Sequence, residues 1–75
     1  MRTRNGILAA LGANVRRHRA ARGWTQEQLA EAAGLDPTYI SGIERGRRNP
    51  SILNVARLAK ALGISTAGLC EGVDA

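Results

Sequence analysis

Gly34 divides two short helical patterns, and Asp36-Pro37 follows it almost at once. That arrangement leaves the chain few folds to adopt. Asp36 is a good N-cap, and proline suits the first helical position, where its missing N–H costs nothing. Before the break, Thr25 with Gln28 three residues on forms a capping box, and Leu29, Ala30 and Ala33 make a buried stripe. After it, Ile40 and Ile43 point inward until Gly46 closes the segment. The same punctuation recurs. A first helix is predicted from about Ile7 to Arg22, with Leu8, Leu11, Val15 and Ala20 inward and Gly23 as its stop. Ser51 starts a fourth helix carrying Ile52, Val55, Leu58, Ala59 and Leu62 at helical spacing, and Gly63 ends it. Ser65 opens a short fifth helix through Leu69 and Cys70. No segment alternates with period two, so strands are not expected. The prediction is a compact all-α, five-helix domain over residues 7–71. A flexible arm (residues 1–6) precedes it, and a frayed C-terminus (residues 72–75) follows it.

Seventy-five residues suffice for one small domain with a modest core. Its formal charge is +5, and all but one of its eleven basic residues are arginine. Arginine offers permanently charged, planar donors suited to phosphates and guanine edges, although a basic balance alone would serve any acidic partner. No apolar run approaches the roughly 18–20 residues that span a bilayer, and no signal peptide is expected. One cysteine, Cys70, excludes an internal disulfide and fits a reducing cytoplasm. His18 and Cys70 have no evident third partner for metal or nucleophilic chemistry. Gly-rich phosphate loops and paired catalytic carboxylates are absent from the sequence. The expectation is a non-enzyme without metal or cofactor.

Two helices joined by a short glycine-bearing turn form a helix-turn-helix, whose second helix can enter the DNA major groove. With Ile40 and Ile43 inward, the 3.6-residue period leaves Thr38, Tyr39, Ser41 and Gly42 nearer that groove. Thr38 and Ser41 are short enough to bond base edges, and Thr38 could touch a thymine methyl. Tyr39 could pack on a sugar while its hydroxyl meets a phosphate. Gln26 sits at the N-terminus of the second helix, where free amides and the positive helix end favour a phosphate. Arg45-Gly-Arg-Arg-Asn-Pro50 reads as a basic loop, in which Arg47 and Arg48 are candidate guanine or phosphate contacts. Arg16, Arg17, Arg19 and Arg22 crowd one stretch of the first helix. Not all of them can face a duplex; Arg17 is assigned to the backbone.

Gly23-Trp-Thr-Gln-Glu-Gln-Leu-Ala30, Gly34, Tyr39-Ile-Ser-Gly-Ile-Glu-Arg-Gly46, Asn49-Pro-Ser51 and Leu58-Ala-Lys-Ala-Leu-Gly63 together resemble the lambda-repressor-like, XRE-like helix-turn-helix family over about residues 11–70. Within it, Thr38 to Pro50 looks most like the controller proteins of restriction–modification systems, small dimers that bind their own promoter region. The resemblance implies a sequence-specific transcriptional regulator. It implies Arg48 for a base, Asn49 for the DNA backbone, and a structural ion pair between Arg19 and Glu44. It also exposes a departure. Pro37 stands at a base-facing position where many relatives carry a long polar side chain, and Gly42 stands where many carry Gln or Lys.

One helix-turn-helix reads about half a turn of DNA, so a homodimer on a pseudo-palindromic operator is expected, with half-sites about 34–36 Å apart. The family pairs through its fourth and fifth helices, which makes Ile52, Leu53, Ile64 and Leu69 the candidate interface, with Cys70 and Val73 beside them. Expected partners are therefore double-stranded operator DNA and a second copy, with RNA polymerase a further candidate. The competing reading is an antitoxin-type module that binds a protein partner and represses its own operon. The few residues beyond the fifth helix leave little for such a partner to hold.

Overall fold

The protein, seen here in a computed structural model that describes residues 2–75, is built of five α-helices with no strand among those residues. They are α1 (Arg4–Ala21), α2 (Gln26–Ala33), α3 (Pro37–Glu44), α4 (Ile52–Leu62) and α5 (Thr66–Leu69). Every helix starts on a side-chain oxygen close in sequence. Thr3, Thr25, Asp36, Ser51 and Ser65 accept from the backbone N–H of Gly6, Gln28, Thr38, Asn54 and Gly68 respectively. Gln28 completes the capping box by accepting from the Thr25 N–H at 2.8 Å. α2 and α4 end on Gly34 and Gly63, both left-handed, as a residue without Cβ allows.

Two boundaries differ from expectation. α1 begins at Arg4 rather than near Ile7, because Thr3 caps it and its carbonyl accepts from the Ile7 N–H at 3.0 Å. Arg4, Asn5 and Gly6 lack an apolar period of their own, so sequence pattern gave no reason to extend the helix over them. The expected arm thus contributes a helical turn; its first residue, Met1, lies outside the described residues. At the other end, residues 71–73 are held rather than frayed. Asn14 Nδ2 donates to the carbonyls of Leu69 and Glu71 at 2.9 and 2.8 Å, and Arg2 Nη1 donates to that of Gly72 at 2.6 Å. Asn14, itself buried, thereby satisfies carbonyls at the end of α5 that no helix continues to use.

Leu11, Val15, Leu29, Ala30, Ile40, Ile43, Val55, Leu58, Ala59, Leu62 and Leu69 form one core shared by all five helices. Ala20, expected inward, is exposed. Leu69 is 0% exposed within a single chain, so it is a core residue and not an interface residue. A four-residue helix has too few turns for its inward face to be read from spacing. Trp24 packs against the core, with the Arg22 guanidinium 4.3 Å from its ring centroid. Arg22 Nη1 also donates to the Leu62 carbonyl at 3.1 Å, tying the end of α1 to the end of α4.

The approach of α1 to α3 fixes the pose of the second helix of the motif. At Gly12 the two backbones come so near that an added Cβ would lie 2.7 Å from the Glu44 carbonyl oxygen and closer still to that of Ile43. Gly46, with φ +69°, is doubly required: a Cβ there would stand 3.0 Å from Ala9 Cα.

Candidate nucleic-acid interface

α3 buries Ile40 and Ile43 and turns Pro37 and Thr38 outward, with Tyr39 and Ser41 half-buried at the border. Asp36 pins the helix start, its Oδ1 accepting from the Thr38 N–H at 2.7 Å. The basic loop folds back on the end of α3, the Arg47 N–H donating to the Gly42 carbonyl at 2.8 Å. Arg45, Arg47, Arg48 and Asn49 are exposed, while Pro50 is buried and anchors the loop. Thr38, Tyr39, Ser41, Arg47, Arg48 and Asn49 therefore share one helix and the loop that returns over it.

Gly42 does not belong to that outward set. It is buried, and the space its side chain would fill holds the aliphatic stem of Arg48, whose Cδ lies 3.4 Å from the position of a Cβ. The Arg48 guanidinium is seated 5.0 Å from the Tyr39 ring centroid, in cation–π range. A helical period counts faces but does not register a loop side chain folding over one of them.

Behind α3 stands a polar hub. Arg19 Nε and Nη2 donate to Glu44 Oε2 and Oε1 at 2.7 and 3.0 Å, the bidentate geometry a guanidinium fork favours. Arg19 Nη1 adds a bond to the Trp24 carbonyl at 2.7 Å, and Gln26 Nε2 donates to Glu44 Oε1 at 3.1 Å. The side chains of Arg19 and Glu44 are only 16% and 3% exposed. The hydrogen bonds that Arg19 donates to Glu44 raise its pKa, against the desolvation that opposes it. One carboxylate thus ties α1, the start of α2 and the end of α3 together. Gln26, expected to face a phosphate, commits one side-chain N–H to this brace. Arg17 is exposed on α1, with Nη1 held at 3.1 Å by Asn14 Oδ1.

Sequence reasoning missed Asn54, whose Nδ2 donates to the Tyr39 hydroxyl at 3.2 Å. It lies on a different helix, and nothing in the local pattern relates positions 39 and 54. Among the described residues, no group of three or more His, Cys, Asp or Glu side chains could hold a metal ion. No described helix is long and apolar enough to cross a membrane. What the surface offers is N–H and O–H donors with positive charge along one edge, chemistry suited to phosphates and base edges.

A helix-turn-helix family model matches residues 15–69. The chain is 46% identical over 59 residues to a hypothetical transcription factor of Neisseria meningitidis serogroup B; this match covers 79% of the chain but spans only 56% of that factor's length. Among solved structures it is similar to the restriction–modification controller protein C.AhdI of Aeromonas hydrophila, with TM-score 0.81, 45% identity and coverage of 83% and 94% of the two chains. It is likewise similar to the controller protein C.Esp1396I, solved as a tetramer with its natural 35-base-pair operator. There the TM-score is 0.80, with 37% identity and coverage of 89% and 88%.

Proposed function

This chain belongs to the helix-turn-helix family of DNA-binding transcriptional regulators, and from that premise we propose that it acts without catalysis, as a homodimer on a pseudo-palindromic operator of the kind controller proteins use. The observation that carries the reading is α3 itself, anchored by two fully buried isoleucines while Pro37 and Thr38 face outward beside exposed Arg47 and Arg48. In the proposed complex Thr38, Ser41 and Arg48 meet base edges, with Pro37 in apolar contact at the head of the helix. Tyr39, Asn49, Arg47, Arg17 and the N-terminus of α2 at Gln26 meet the sugar–phosphate backbone. Because Pro37 brings no hydrogen-bond donor, much of the direct readout falls to Arg48. A bidentate arginine–guanine bond contributes about 1–3 kcal/mol of discrimination.

Selection from a random-sequence duplex pool tests this. The expected product is a two-fold symmetric site, bound with log affinity falling against log salt at a slope of about −0.9 per neutralised phosphate. Recovery of no preferred sequence at physiological ionic strength would defeat the proposal. RNA polymerase enters only as a neighbour on the DNA, its effect set by where the operator lies.

The pairing surface rests on a second observation. Ile52 and Leu53, at the start of α4, are 72% and 58% exposed, where burial would be favourable. Half-buried Ile64 is the third member of the proposed interface. Leu53→Asp is expected to leave the fold intact, because Leu53 contributes little to the core, yet to shift sedimentation from dimer to monomer at micromolar concentration. A variant that sediments like the wild type would place the interface elsewhere.

A further inference from the structure

Asn54 lies in the first turn of α4, directly after Leu53, and is held at three points. Its backbone N–H donates to Ser51 Oγ at 3.2 Å, closing the helix cap. Its Oδ1 accepts from Arg57 Nη1 at 3.1 Å, one turn further along. Its Nδ2 donates to the Tyr39 hydroxyl oxygen at 3.2 Å. The Arg57 contact decides which way the amide faces, because a guanidinium donates only and requires an oxygen opposite it. The amide nitrogen is therefore turned to Tyr39. A phenol that accepts a bond from Asn54 keeps its own O–H proton for another acceptor. The Arg48 guanidinium sits over the same ring and further limits its motion.

We infer that Asn54 is a positioning residue for DNA binding, holding the Tyr39 hydroxyl in the donor orientation that a backbone phosphate requires. The inference rests on the proposed contact between Tyr39 and the DNA backbone, and adds the residue that prepares it. Orienting the donor in advance reduces the ordering cost incurred on binding. Because Asn54 adjoins Leu53, the helix proposed to pair two copies is also the one that sets a side chain at the DNA surface.

Affinity for a duplex selected by the wild-type protein from a random-sequence pool is measured for Tyr39→Phe, Asn54→Ala and the double variant. Each single change is expected to weaken binding about three- to tenfold, the range of one hydrogen bond. The double variant should bind no more weakly than Tyr39→Phe alone, since both changes remove the same contact. The salt slope should be unchanged in all three, because a neutral phenol releases no counterion. Asn54→Asp keeps an oxygen for Arg57 but presents an acceptor to Tyr39, and it covers the case in which the alanine variant melts early. Part of its loss should disappear in the Tyr39→Phe background. Wild-type affinity in Asn54→Ala, or losses that multiply in the double variant, would overturn the positioning role while leaving the Tyr39 contact standing. Unchanged affinity in Tyr39→Phe would remove that contact, and this inference with it.

Discussion

Gly12→Ala is expected to destabilise the protein by more than about 3 kcal/mol and to lower its melting temperature by about 15 °C or more. On helix propensity alone the sign would be opposite, because alanine is favoured over glycine by about 1 kcal/mol in a helix interior. The obstacle is the end of α3. A Cβ at position 12 would meet the carbonyl oxygens of Ile43 and Glu44, backbone atoms that cannot rotate aside as a side-chain tip would. α1 must retreat, opening the core around Leu11 and Val15 and tilting the helix that carries Thr38 and Ser41. Gly6 supplies the control within the same helix. A Cβ there meets nothing nearer than Thr3 Oγ1 at 3.5 Å, so Gly6→Ala should be neutral or slightly stabilising. Thermal melts of the two variants side by side check the claim, and equal stability would refute it.

Glu44→Ala carries the second large effect, an expected loss of about 3–5 kcal/mol. The carboxylate accepts two bonds from Arg19 and one from Gln26, and its removal strands a guanidinium that is mostly out of water. The loss should fall toward the lower end, because Arg19 keeps its bond to the Trp24 carbonyl. Glu44→Gln should lose less but remain clearly destabilised. Its amide nitrogen would face guanidinium N–H groups that need an acceptor. A Glu44→Gln melt superimposable on that of the wild type would show the pair to be unimportant. These costs measure the breaking of a pair already formed, since a well-packed apolar substitute for both partners could be as stable.

The helices were legible because their boundaries are written locally. Thr25 with Gln28, Asp36 with Pro37, Ser51 and Ser65 each act on an amide within a few residues, and Gly34 and Gly63 stop α2 and α4 by their own backbone freedom. Thr3 acts in the same way, but the polar residues after it hid the start of α1. Tertiary relations were another matter. Asn14, Arg22 and Asn54 each bond to a partner on another helix or past its end, and no spacing announces such a partner. Leu69 looked available for pairing because a four-residue helix displays no period from which its inward face could be chosen. Gly42 was assigned to the outward face by counting residues, whereas Arg48 returns from the following loop to cover it. Thr38, Tyr39, Ser41, Arg47, Arg48 and Asn49 thus lie on α3 and its loop, with Arg17 on α1 and Gln26 on α2. Of their supports, the Arg19–Glu44 pair was expected from the resemblance, while the Asn54 contact appears only once the helices are assembled.

Each helix in this chain is initiated by an oxygen at most three residues away from the amide it receives. Nuclei that need only such short loops closed form quickly, and small helical domains of this kind reach their native shape in microseconds to milliseconds. Synthesis of a 75-residue chain takes seconds by comparison. Folding of these helices is therefore fast beside the time in which the ribosome delivers them, so each can form as soon as its capping oxygen and the amides that follow have emerged.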